Sequence, residues 1–153
     1  MVSTPLLPAS AEAAPIPTSE IALTGHMAAV GDAGDWLATW LEPREASAEL
    51  VFAMRLCLEE ALANIVMHGG LEPEGAIVAS LAEEAGGVVL RISDEGRPFD
   101  PVTAELPHDQ EIGGNGLILI RRYASVMSYR REGGRNHLTL SFSRLAETPA
   151  PGR

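Results

Sequence analysis

The segment EASAELVFAMRLCLEEALANIVMHGG, residues 45–70, is the part of the chain with the fewest alternatives. Val51, Met54, Leu58, Leu62 and Ile65 step by three or four positions, which places them on one stripe of an α-helix. Gly69 and Gly70 then supply a C-terminal stop. A stripe of that length needs an apolar surface to cover it. Beside it run Glu60, Asn64 and His68, spaced by four and therefore on one side of the same helix. Polar groups at the margin of a core are costly unless they find partners. The row therefore asks for a chemical reason.

The remaining pattern supplies the covering surface. EIALTGH predicts a short first strand. AAVGDAGDWLATWLEP places Val30, Trp36, Leu37, Trp40 and Leu41 at near-helical spacing and predicts a helix ending before Pro43, with Trp36 and Trp40 as core anchors. AIVASLAEE and GVVLRISDEG, split by Ala85-Gly86-Gly87, predict a hairpin. A polar, proline-containing connection runs from Arg97 to about Ile112. GGNGLILIRRYA follows as a glycine turn feeding a helix, and VMSYRREGGRNHLTLSF as a second hairpin about Gly133-Gly134. Strand, helix, helix, hairpin, loop, helix, hairpin is the order of an α+β two-layer sandwich, with helices on one face of the sheet and the other left largely open. The expected division is a flexible leader over 1–19, rich in Pro, Ala, Ser and Thr, one domain over 20–144, and a flexible tail over 145–153.

Composition removes several functions. The net charge of −10 argues against general binding to DNA or RNA. All eleven basic residues are arginines, which excludes the lysine of a Walker-type phosphate loop and any Schiff-base chemistry. No apolar run approaches the roughly 18 residues of a membrane helix, and the start lacks the basic and apolar regions of a secretory signal. A cytoplasmic location is expected. Cys57 stands alone, cannot form an intramolecular disulfide, and falls in the apolar helical pattern as a packing residue.

Three short motifs carry chemistry. In Glu60-x3-Asn64-x3-His68, the Asn64 amide oxygen suits Mg²⁺, which keeps several waters, and Glu60 could take a proton from an attacking hydroxyl. In ISDEGRPFDP, Asp94 ends an apolar strand and can accept a hydrogen bond from an exocyclic amine, while Gly96 allows a sharp turn. In EIGGNGLILI, Gly113, Gly114 and Gly116 precede a helix whose N-terminal amides attract anions. Each motif alone is common: a solvated helix face, an Asp-Gly turn, a glycine loop. Their order and spacing, with Asp94 about 30 residues after Asn64 and the glycine turn about 20 further on, is much more specific.

That ordered set resembles the N box and the two glycine boxes of the GHKL (histidine-kinase-like) ATPase superfamily. EEALANIVMHGG, SDEGRPFDP, GGNGLILIRRYA and GGRNHLTLSF are most similar to the small anti-sigma-factor serine/threonine kinases of bacterial partner switching. The resemblance spans about Glu20 to Phe142. It implies a Bergerat-type ATP site between a mixed sheet and its helices, with ATP and Mg²⁺ as cofactors. Asn64 would ligate the metal and Glu60 would be the catalytic base. Asp94 would hold the adenine amine, Gly96 would shape the pocket, and Gly113, Gly114 and Gly116, with Leu117, would line the nucleotide at the end of a short lid. It further implies phosphorylation of a STAS-domain antagonist, sequestration of a sigma factor and a homodimer, without direct contact to nucleic acid or membrane. His68 is expected to be structural, packing or capping the helix end.

Two features depart from that pattern. The lid, Asp100 to Ile112, has no Lys or Arg where related kinases often carry a basic residue, and Asp100, Glu105, Asp109 and Glu111 make it acidic. Slow transfer, or nucleotide binding with little turnover, follows as an alternative: a non-catalytic switch that sequesters a transcription partner. The basic residues concentrate instead at Arg121, Arg122, Arg130, Arg131 and Arg135, open to an acidic partner, to phosphate, or to solvent. The catalytic portion of a histidine kinase is a third reading, disfavoured because no phosphoacceptor helix pair accompanies the motifs.

Overall fold

The computed structural model describes residues 17–103 and 115–144. In chain order it contains β1 (Ser19–Leu23), α1 (Ala28–Leu41), a 3-10 turn (Glu42–Arg44), α2 (Ala48–His68), β2 (Ile77–Glu84), β3 (Gly87–Asp94), α3 (Asn115–Tyr123), β4 (Val126–Glu132) and β5 (Arg135–Ser143). Ser47 starts α2 by accepting the Leu50 N–H on its hydroxyl oxygen at 3.1 Å, the usual way to satisfy a first-turn amide. At the other end Gly69 N–H donates to the Ile65 carbonyl, and Gly70 turns the chain away with φ +63°.

The five strands form one sheet in the order β1-β2-β3-β5-β4. Every described pairing is antiparallel, which corrects the expected mixed sheet. The physical reason lies in the crossover. β3, α3 and β4 form a parallel crossover unit, but β5 folds back from β4 and inserts between them, so the two parallel strands never share hydrogen bonds. Hairpin closure, with Gly133 and Gly134 at φ +58° and +74°, drives that insertion. The other hairpin turns on Ala85-Gly86 alone, because Gly87 is already paired with Ser143.

Alternation along the strands builds the core. Ile77, Ala79 and Leu81 of β2, Val88, Leu90 and Ile92 of β3, and Leu140 and Phe142 of β5 are buried in one cluster with Leu37 and Leu41 of α1 and Met54, Leu58 and Leu62 of α2. The predicted helical stripe is therefore the one that meets the sheet, with Val51 and Ile65 at its edge. Residues of opposite parity, such as Val78, Ser93, Thr139 and Ser141, are half-buried, although Ser80, Ala82 and Val89 on that face are fully covered.

The N-terminal edge is held by indoles. Trp36 Nε1 donates to Ser19 Oγ at 2.9 Å and Trp40 Nε1 to Thr18 Oγ1 at 3.1 Å, while Thr18 N–H donates to the Leu81 carbonyl. Among the described residues, hydrogen-bonded structure thus includes Thr18 and Ser19. The Arg44 guanidinium also lies 3.7 Å from the Trp40 ring centre, a cation–π contact that fixes the indole from its other side.

Gly31 is exposed within α1, and a Cβ there would meet nothing within 4 Å. Gly31→Ala should therefore stabilise the fold by about 0.5–1 kcal/mol through helix propensity. Chemical denaturation of the two proteins measures it, and a destabilised variant would contradict the helical packing described here.

Candidate functional site

The polar row of α2 ends up between two other motifs. Glu60 and Asn64 are half-buried, and His68 is exposed. Gly116, buried at the start of α3, lies so close to Glu60 that a Cβ on it would stand 2.5 Å from Glu60 Oε2. The carboxylate thus rests on the bare backbone of the third motif. α3 is drawn there by Leu117 and Ile120, which are 7% and 1% exposed, with Ile120 in the main core. Among the described residues no hydrogen bond reaches the Asn64 amide.

The second motif joins at the other end of α2. Arg97 N–H donates to the Gly69 carbonyl at 2.7 Å, tying the turn after β3 to the end of the helix. Gly96 sits inside that junction. A Cβ there would lie 2.8 Å from both Asp94 Oδ1 and the Gly69 carbonyl oxygen, closer than non-bonded atoms tolerate. Its own N–H donates to Asp94 Oδ1 at 2.8 Å. Asp94, 4% exposed, is the last residue of β3 and points to the helix side of the sheet.

Sequence reasoning missed the residues that hold Asp94. Asn136 is directly opposite it on β5, and Arg131 is directly opposite Asn136 on β4. Asn136 Nδ2 donates to Asp94 Oδ1 at 3.1 Å and to the Arg97 carbonyl at 2.7 Å. Tyr129 and Arg131 both donate to Asn136 Oδ1, and Arg131 also donates to the Gly96 carbonyl at 2.7 Å. The available signal was parity. In NHLTLSF, Leu138, Leu140 and Phe142 face the core, so Asn136 must face it too, as a polar residue in need of partners.

The arginines do not act as one patch. Arg121 Nη2 donates to the Pro101 and Val102 carbonyls, bringing a guanidinium to the start of the acidic loop. Arg135 pairs with Glu95 and Arg130 with Glu132, and Arg122 stands 5.9 Å from the Tyr123 ring centre. His68, expected to pack or cap, does neither: it is exposed, and the Gly69 amide closes the helix. Gly113 and Gly114, and most of the expected lid, lie outside the described residues. Among the described residues no group of three or more His, Cys, Asp or Glu could hold a metal ion by itself, so Asn64 is the one amide oxygen in the row that could offer a ligand.

Cys57 is buried one turn before Glu60, as expected of a packing residue. Burial, with a smaller contribution from the Glu60 charge, pushes its thiol up from 9.0 to about 12.

The histidine kinase-like ATPase domain model matches residues 23–142. The serine/threonine-protein kinase BtrW of Bordetella bronchiseptica is 37% identical over 131 residues, covering 81% of this chain and 91% of that protein. The structure of the RsbU and RsbW domains of a Mycobacterium tuberculosis protein superposes with a TM-score of 0.58 at 19% identity, over 83% of this chain and 33% of that one. The histidine kinase domain of a blue-light activated kinase from Erythrobacter litoralis gives 0.50 at 15% identity, over 79% of this chain and 61% of that one. At such identities the two superpositions speak for the fold alone. They agree with the two-layer α+β architecture, and no described helix is long and apolar enough to cross a membrane.

Two outcomes test this geometry. Gly96→Ala, which would overlap backbone, should cost about 1–3 kcal/mol. Gly116→Ala meets only the end of a flexible Glu60 side chain and should cost less; equal losses in denaturant unfolding would contradict the placement. For Cys57, the unfolded thiol ionises at a lower pH than the native one. Its stability contribution is therefore complete below pH 9.0 and is lost as the pH rises toward 12. Cys57→Ala should flatten stability against pH above 9, and identical curves for both proteins would count against the burial.

Proposed function

Because the chain belongs to the histidine kinase-like ATPase family, among its anti-sigma-factor serine/threonine kinases, we propose that it phosphorylates a serine or threonine of a STAS-domain antagonist with ATP and sequesters a sigma factor when that antagonist is unavailable. The observation that carries this reading is convergence. Glu60 lies against Gly116, and the end of α2, between two and three turns further on, is bonded to the Asp94-Gly96 turn, so one helix contacts both of the other motifs.

Each residue then has work that its position allows. Asp94, held at Oδ1, would accept the amine of adenine on Oδ2. Gly96, Gly116 and Leu117 would let the nucleotide come close to backbone, together with Gly113 and Gly114. Asn64, its amide without a protein partner among the described residues, would offer its oxygen to Mg²⁺. The metal, when bound, would offset the charge of the triphosphate. Glu60 would take the proton of the attacking hydroxyl as that oxygen bonds to the γ-phosphorus and the bridging oxygen leaves with ADP. A homodimer and a cytoplasmic location belong to the same reading.

The acidic stretch from Asp100 to Ile112 supports a second reading, a switch that binds nucleotide and a transcription partner without transfer. Labelled Mg-ATP with a STAS-domain partner separates them. Wild type should transfer phosphate, Glu60→Ala should lose about 10²–10⁴-fold in rate while keeping nucleotide binding, and Asn64→Ala should lose the magnesium-dependent part of calorimetric affinity. No transfer by wild type, with partner capture intact in Glu60→Ala, would select the switch.

A further inference from the structure

Asp94, Asn136 and Arg131 stand in one row across β3, β5 and β4. The Asn136 amide has a single orientation that suits its surroundings. Its oxygen faces two donors, the Tyr129 hydroxyl at 2.5 Å and Arg131 Nη1 at 3.1 Å. Its nitrogen faces acceptors: Asp94 Oδ1 at 3.1 Å, the Arg97 carbonyl at 2.7 Å and the Gly96 carbonyl at 3.5 Å. A flip would set amide oxygen against a carboxylate and two carbonyls. Asn136 is therefore a fixed donor to Oδ1, and Gly96 N–H at 2.8 Å is a second donor to the same atom.

Both donors fall on one oxygen of the carboxylate. Oδ2 makes no hydrogen bond among the described residues. No fully enclosed side-chain nitrogen or oxygen among them lacks a partner, so Oδ2 is not fully enclosed. A 4%-exposed carboxylate with one oxygen pinned and the other not fully enclosed accepts hydrogen bonds and offers none.

We infer that Asn136, braced by Arg131 and Tyr129, is a positioning residue for base selection, holding Asp94 so that Oδ2 takes an exocyclic amine and rejects a base without one. The inference rests on the nucleotide-binding reading above and adds the residues that set its base preference. A base without the amine leaves the carboxylate oxygen desolvated and unpaired, and that penalty rather than any new contact produces the discrimination.

The test titrates ATP and the triphosphate of purine riboside, which lacks only the amine, with magnesium present, into wild type, Asn136→Ala, Arg131→Met and Tyr129→Phe. Wild type should favour ATP by roughly ten- to a hundredfold. Asn136→Ala should cut that ratio by about fivefold or more, through weaker ATP binding, with the analogue changed by less than about twofold. Arg131→Met and Tyr129→Phe should lower the ratio by a smaller factor, and they carry the test if Asn136→Ala fails to fold. A ratio unchanged in the folded variants, including parallel weakening of both ligands, would mean a merely structural network and overturn the inference. Equal binding of both ligands by wild type would overturn it while leaving nucleotide binding intact. Binding of neither would remove the functional reading and the inference with it.

Discussion

Where β3 ends, the chain must pass the end of α2 at a distance that leaves no room for a side chain. Gly96 meets this constraint: Asp94 Oδ1 on one side and the Gly69 carbonyl on the other would each lie 2.8 Å from a Cβ. Because the backbone passes there, Gly96 N–H can reach Asp94 and Arg97 N–H can reach Gly69. The first bond shapes the turn, and the second couples the sheet to the helix carrying Glu60 and Asn64. Without the close approach, the turn after Asp94 would lose its bond to the end of α2.

Among the described residues, Asp94 is buried without a cation paired to it. Its partners are the neutral donors Gly96 N–H and Asn136 Nδ2, and the nearest charge in the row, Arg131, acts one residue removed through Asn136 Oδ1. Two neutral hydrogen bonds to a charged acceptor are each worth roughly 1.5–3 kcal/mol, which offsets part of the desolvation cost without sealing the carboxylate in an ion pair. A direct Arg–Asp pair often occupies both oxygens, since guanidinium and carboxylate can join in a bidentate fork. Placing an amide between them keeps one oxygen available. That arrangement suits recognition of a ligand better than it suits stability.

Local pattern made much of this visible in the sequence. α2 was legible because Met54, Leu58 and Leu62 repeat at helical spacing, the first hairpin because β-branched runs flank Gly86, and the second because Gly133-Gly134 mark its turn. What was not legible depends on which strands become neighbours. The mixed sheet came from the family resemblance; β5 lies between the parallel-running β3 and β4, so every described pairing is antiparallel instead. The Asp94–Asn136 bond joins residues 42 apart, and no spacing rule predicts it. The arginines looked like one basic patch for the same reason. Their partners, Pro101, Gly96 and Glu95, are assigned by the fold and not by the neighbouring sequence.

The glycine turn before α3 acquires a second explanation from the packing. Glycine in such a turn is ordinarily ascribed to the approach of phosphate, and that account needs a ligand. At Gly116 a mild demand exists without one, because the end of the flexible Glu60 side chain lies in the space a Cβ would fill and would have to move aside. Both demands fall on the same residue only if the carboxylate and the ligand meet at the start of α3, as a proton acceptor must meet the group it serves. Leu117 and Ile120 hold that helix end against the protein interior, so the Glu60–Gly116 contact is set by apolar packing rather than by polar groups of its own. Core packing on one side of α3 thereby sets where its first backbone turn stands, within reach of the flexible side chain of the proposed base.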